Sequence, residues 1–187
     1  QSMKNKLKKF WNFVWHDDSL LSLAVSAVLI IIFGKFILYP ILGMIFGTSL
    51  PIVAVVSDSM EHNAEFGEWW SKNSKYYEEL GIEKSEFENY DLNNGFNKGD
   101  VIVLKGVEFE DITRGDVIVF QTKGREPIIH RVIELSGNSI GTKGDNNSRQ
   151  LIFEEHIFED EIIGKAIAQI PLLGWVKVIF MEVLGQI

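Results

Sequence analysis

The sequence predicts a mostly β domain that follows one amino-terminal transmembrane helix and is interrupted by a small helical insertion. Three observations lead there. Residues 19–39 are largely apolar, with Lys35 the single charge, and a helix of that length crosses about 30 Å of hydrocarbon. After residue 50, Gly99-Asp100 and Gly115-Asp116 each open an apolar, β-branched run, the pattern of a turn feeding a strand. Between the apolar helix and these runs, residues 62–98 place aromatic side chains at helical spacing in a charge-rich setting.

The 187 residues suffice for one domain with attachments. The 46% hydrophobic content is unevenly placed, concentrated before residue 50. The net charge of −8 lies mostly after residue 57, which argues against nucleic acid as a partner. With no cysteine, disulfides, thiol catalysis and Cys-ligated zinc are excluded. Gln1-Ser2 ahead of Met3 reads as an expression remnant.

Residues 1–18 form a basic start carrying Lys4, Lys6, Lys8 and Lys9. Lysines on this side of the 19–39 span place the amino terminus in the cytoplasm and the remainder outside. Lys35 lies about 9 Å from a midplane at Leu29, at about 1.5 Å per residue, so its stem can snorkel to the headgroups. A cleaved export signal would share the basic start, but this apolar run is too long for one. Residues 40–51 stay apolar with glycine and proline, and are expected at the membrane interface or as a first strand.

Residues 40–170 are expected to form the extracytoplasmic domain. In it, residues 51–56 read as a strand delivering Ser57 and Ser59 at its end. A serine hydroxyl needs a base within reach and donors for the oxyanion it creates; taken alone, the two serines read by default as turn or capping residues. In the insertion, residues 66–80 fit one helix closed by Gly81, with a second short helix near Ser85. It is either a flap over a cleft or a folded excursion packing its own aromatics. His62 is too near Ser59 in the chain for a well-oriented approach. Asp100 and Asp116 are expected to bond local backbone N–H groups.

Residues 128–135 read as a strand carrying His130, the one strong candidate for a base. A lone histidine on an apolar strand is more often a core residue. Arg131 is expected to pair with a carboxylate. Residues 141–147 form a polar turn, and residues 162–169 a closing strand. Residues 171–187 are an apolar, membrane-proximal segment with a helical stripe from Leu172 to Ile187. They either rest on the bilayer or open a second span, although Glu182 and the short length argue against a complete one.

Ser57-x-Ser59-Met60, the two Gly-Asp strands, His130-Arg131-Val132 and Thr142-Lys143-Gly144-Asp145-Asn146-Asn147 occur in this order behind the apolar helix. Together they resemble a type I signal peptidase of the archaeal and endoplasmic-reticulum (Ser-His) kind, the family of the signal peptidase complex catalytic subunit, over most of residues 50–170. The resemblance implies a signal-peptidase-like β ectodomain and a serine endopeptidase that removes signal peptides from exported preproteins. It makes Ser59 the nucleophile, His130 the base and Asp145 the residue that orients His130, with Ser57 and the Ser59 N–H as oxyanion donors. Many relatives carry a further aspartate a few residues beyond this turn, where this chain has Ser148-Arg149-Gln150-Leu151. The third member is therefore expected to be Asp145 or to be missing.

The resemblance further implies edge strands near residues 98–120 that accept substrate as an added strand, and no metal or cofactor. Partners would be signal-peptide-bearing preproteins, the lipid bilayer and the protein-export machinery. The location would be the cell membrane, single-pass, or the endoplasmic-reticulum membrane in a eukaryote. Bacterial relatives carry a lysine base where His130 stands. Such a lysine must be lowered by about three units, about 4 kcal/mol, whereas an ordinary imidazole near 6.5 is already poised. The alternatives are a related protease acting on pilus-like proteins and a non-catalytic anchored β domain that recruits exported chains. Asn146-Asn147-Ser148 also matches a glycosylation acceptor.

Overall fold

The computed structural model describes residues 2–183, so Gln1, and Leu184 and Ile187 of the expected carboxy-terminal stripe, lie outside the described residues, as does the side chain of Phe180. The chain divides into two compact units, Gln1–Ile45 and Phe46–Ile187.

In the first unit, α1 (Ser2–His16) is followed by a helix that runs without a break through α2 (Leu20–Phe33), a π-helical turn (Gly34–Leu38) and α3 (Tyr39–Phe46). Ser19 caps α2 by accepting the Ser22 N–H at 3.2 Å, which satisfies one of the orphan donors of the first turn. The stretch Leu20–Phe46, 27 residues, is long and apolar enough to cross a membrane. The wide turn has a cause in the sequence: Pro40 offers no N–H to the turn before it and its ring presses on that turn's carbonyl. The helix accommodates this by widening, with the Tyr39 N–H reaching back to the Gly34 carbonyl. Residues 40–46 are thus helix, which corrects the expectation that they form a first strand.

The second unit is built on one six-stranded sheet, β1 (Ile52–Ala54), β2 (Val101–Lys105), β3 (Val117–Phe120), β4 (Ile128–Ser136), β5 (Ser139–Lys143) and β6 (Ile162–Ile170). The spatial order is β1-β2-β6-β3-β4-β5, and every neighbouring pair is antiparallel. This is the predicted mostly β domain. One expectation is corrected: β2 and β3 are not edge strands, because β6 returns between them; the edges are β1 and β5.

Strand β3 is buried along its whole length. Its side chains alternate between two faces, so Val117 and Val119 enter one core with Val55, Met60 and Ile102. Ile118 and Phe120 enter a second with Val132, Ile140 and Ile157. Apolar residues at successive positions are what burial on both faces requires. The Gly-Asp turns behave as the sequence predicts: Asp100 accepts the Asn97 N–H at 2.8 Å, and Asp116 accepts the Thr113 N–H at 2.9 Å.

The insertion contains α4 (Phe66–Glu79) and the single turn α5 (Lys84–Phe87). Trp69, Trp70, Tyr77 and Phe87 pack into a third core that also takes Ile133 from β4. The aromatics of the insertion thus pack on one another and on β4. Helix α6 (Trp175–Val183) turns Val178 inward and leaves Val176, Ile179 and Val183 exposed. Its start is tied to the β2 turn by the Leu172 N–H on Asp100 at 3.0 Å.

Candidate active site

The turn that presents Ser59 is fixed at both ends. Just past β1, the Val55 N–H donates to the Asp100 carbonyl at 2.8 Å and the Val55 carbonyl accepts the Gly99 N–H at 2.9 Å. The Glu61 N–H then closes on the Asp58 carbonyl at 3.0 Å, lifting half-buried Ser59 out of the loop. Met60 is buried beneath it, 1% exposed, and its sulfur receives the Asp145 N–H at 3.4 Å.

His130 comes from the other half of the sheet, on β4 opposite Ile118, and is 4% exposed. Its Nε2 lies 2.9 Å from Ser59 Oγ. Its Nδ1 is bonded to Oε1 of Glu154, a fully buried carboxylate on the short 3-10 turn Ile152–Glu154. Oε1 of Glu154 also accepts the Thr142 hydroxyl at 3.3 Å, and its Oε2 accepts the Leu151 N–H at 2.9 Å. A carboxylate on Nδ1 fixes the tautomer that keeps the hydrogen there, which turns the Nε2 lone pair toward the serine hydroxyl. Ser57 Oγ stands 3.3 Å from Ser59 Oγ, and the Ser59 N–H has no acceptor among the described residues.

Ser59, His130 and Ser57 are therefore brought together as the sequence predicts, but Asp145 does not reach His130, and Glu154 holds the place expected for it. The reason is strand parity. Arg131 follows His130 on β4, so the two side chains leave opposite faces of the sheet. Arg131 pairs in register with Lys143 and Val132 with Thr142. Asp145, two residues past Lys143, stays on the Arg131 face, whereas Thr142 shares the His130 face and meets Glu154 there.

Asp145 accepts Arg131 Nε at 3.0 Å and Arg131 Nη2 at 2.8 Å, His62 Nε2 at 3.1 Å and the Tyr77 hydroxyl at 3.2 Å. Burial pushes this carboxyl up, but the Arg131 guanidinium and the hydrogen bonds from His62 and Arg131 outweigh it and hold Asp145 well below the usual carboxylate range. Burial pushes the neighbouring Lys143 down to about 8, against the pull of Asp145 and Glu154. Beyond Asp145, the Asn146 N–H donates to the Ser59 carbonyl at 2.8 Å and its side-chain amide to the Asp58 carbonyl at 3.0 Å. Residues 144–147 thus clasp the nucleophile's turn. At Gly144 a Cβ would fall 2.8 Å from both His130 Nε2 and the Ser59 carbonyl, so the close approach requires glycine.

Asp145→Asn is expected to destabilise the fold by about 3–5 kcal/mol, because it leaves the Arg131 charge buried without its partner. The lowered carboxyl contributes stability that is fully present above its ordinary value near 4 and is lost progressively as pH falls from there through its much lower folded-state value. Urea titrations at pH 7 and pH 3 should show a larger acid loss in the wild type than in Asp145→Asn.

The family model described as "Signal peptidase, peptidase S26" matches residues 23–159. Similar proteins include the signal peptidase complex catalytic subunit SEC11C of Homo sapiens, 33% identical over 98 residues, which cover 46% of this chain and 51% of that protein. The signal peptidase complex catalytic subunit SEC11 of Metarhizium robertsii is 30% identical over 98 residues, 46% of this chain and 57% of that protein. The chain spans about half the length of the curated relatives it matches.

Proposed function

The chain belongs to the signal peptidase family of peptidase S26, and from that membership we propose that it is a membrane-anchored serine endopeptidase, a signal peptidase I, that cleaves amino-terminal signal peptides from exported preproteins. The observation that carries this reading is the 2.9 Å approach of His130 Nε2 to Ser59 Oγ, with Glu154 on the far ring nitrogen.

In the proposed reaction Ser59 Oγ attacks the scissile carbonyl while His130 Nε2 takes its proton, help typically worth 10²–10⁴ in rate. The Ser59 N–H and the Ser57 hydroxyl receive the oxyanion; one such donor is commonly worth about 2.7–4 kcal/mol. The imidazolium, steadied by Glu154, gives its proton to the departing amine of the mature chain as the C–N bond breaks, which leaves Ser59 acylated by the signal peptide. Water, deprotonated by His130, then attacks the ester and restores the serine. Ser59 follows the edge strand β1, where an extended substrate can add as a further strand.

Residues 20–46 would cross the bilayer with residues 1–18 in the cytoplasm, which sets Ser59 thirteen residues beyond the span. A protease for signal peptides needs that nearness, because its scissile bond emerges at the end of a membrane-embedded apolar helix. The exposed apolar face of α6, with Leu172 and Leu173 before it, suits contact with the bilayer surface. Association with the protein-export machinery is in keeping with these relatives, which are catalytic subunits of a signal peptidase complex.

The test is to incubate the full chain, reconstituted in liposomes, with a secretory preprotein and to sequence the product's amino terminus. Cleavage at the signal junction is expected. Intact preprotein, or cleavage undiminished in Ser59→Ala, overturns the proposal.

A further inference from the structure

The insertion is fastened directly behind the proposed nucleophile. It departs after the Ser59 turn, and its return is pinned to that same turn: Glu61 and Gly95 form an antiparallel bridge, and the Phe96 N–H donates to the Met60 carbonyl at 3.1 Å. Gly95 has φ 65°, and a Cβ there would fall 2.1 Å from the Met60 carbonyl and 2.6 Å from the His62 ring. The neck therefore closes as tightly as backbone allows.

From that neck the insertion reaches the buried ion pair. His62 and Tyr77 donate to Asp145 at 3.1 and 3.2 Å. The Asp91 and Leu92 carbonyls accept Arg131 Nη1 and Nη2 at 3.0 and 2.8 Å. The His62 ring lies flat on Trp69, centroids 3.7 Å apart and planes within 1°, so its donating nitrogen has little freedom to wander. Asp145 adjoins Gly144, packed on His130, and Asn146, bonded to the Ser59 carbonyl. A continuous path of contacts thus leads from the insertion, through Asp145 and residues 144–147, to both members of the Ser59–His130 pair.

We infer that the insertion is a buttress of the active site, in which His62 and Tyr77 are positioning residues that hold Asp145, and through residues 144–147 set the geometry of Ser59 against His130. The inference deepens the Ser59–His130 reading above and rests on it. A displacement of about 1 Å at a reacting centre can cost 10²-fold in rate, so small losses of grip are visible in turnover. A flap would act otherwise: it would touch substrate, and its variants would raise KM.

The experiment compares the full-length wild type with Tyr77→Phe, His62→Leu and His62→Gln, each checked for an unfolding transition, and with Lys72→Ala on the exposed side of α4 as control. Two readouts are taken: kcat and KM for a preprotein, and the rate at which a fluorophosphonate labels Ser59. Tyr77→Phe and His62→Leu are expected to lower kcat and labelling about tenfold with KM unchanged. His62→Gln, whose amide can still donate to Asp145, recovers most of the loss, and Lys72→Ala changes nothing. The inference is overturned if the folded variants label and turn over like the wild type, if KM alone rises, or if His62→Gln is no better than His62→Leu. Should His62→Leu fail to fold, Tyr77→Phe, which keeps its ring in the core, decides. A wild type that labels at Ser59 but leaves preproteins intact would sink the substrate reading, while labelling of the variants still judges the buttress.

Discussion

Ser59→Ala and His130→Ala are each expected to lower kcat for preprotein cleavage by about 10⁵–10⁶-fold, and the double variant no further. Groups that act as one unit are strongly non-additive, since the base has no proton to take without the hydroxyl and the hydroxyl is inert without the base. Ser59→Ala should leave the unfolding midpoint close to that of the wild type, whereas His130→Ala takes the Nδ1 partner from the fully buried Glu154 carboxylate and should lower it. Single-turnover assays at matched enzyme concentration measure the effect. A folded His130→Ala that retained more than about a hundredth of the activity would place the base elsewhere.

The second large effect is expected at Glu154. In Glu154→Gln the amide oxygen can keep the Leu151 N–H, so the 3-10 turn survives, but the amide NH₂ then faces Nδ1 of His130. The ring must answer with its other tautomer, turning an N–H instead of a lone pair toward Ser59, and kcat should fall by about 10³–10⁴-fold with little change in KM. Asp145→Asn should separate cleanly from it, losing stability first and turnover only through the loosened clasp on Ser59. If Asp145→Asn in its folded form proved the more damaging to kcat, the assignment of the orienting carboxylate to Glu154 would fall.

The contrast between those two carboxylates marks where the sequence stops being legible. Only the resemblance carried by the motifs in order makes Ser57, Ser59 and His130 catalytic candidates rather than turn and core residues, but the short apolar strands and flanking turns that hold them are a local pattern. The same holds for the strands themselves, where Gly-Asp turns and β-branched runs announce β2 and β3, and for α4, closed by Gly81 with its aromatics on one face. Glu154 gives no such notice. It stands on a three-residue turn whose capping position is Leu151, not a serine or threonine, and one more methylene than aspartate gives it reach from an unexpected place in the chain. Parity along β4 and β5 was the available clue: once Arg131 faces Lys143, an acid two residues on cannot serve the face that carries His130. That deduction needs the strand register, which is settled by tertiary pairing and by the irregularity between Val132 and Glu134. The helical course of residues 40–46 was hidden for a similar reason. Pro40 ordinarily argues against a helix interior, and only the widened turn before it lets the helix pass.

The position of β6 has a consequence for when this protein becomes able to act. Within the sheet, the half that leads to Ser59, β1 and β2, meets the half that carries His130, β3 to β5, only across β6, and β6 is the last strand to leave the ribosome. Pairings between segments so distant in sequence form late and slowly. Until β6 pairs with both, the hydroxyl and the imidazole stand on two parts of the sheet that no strand pairing joins, so their meeting awaits the most carboxy-terminal of the six strands.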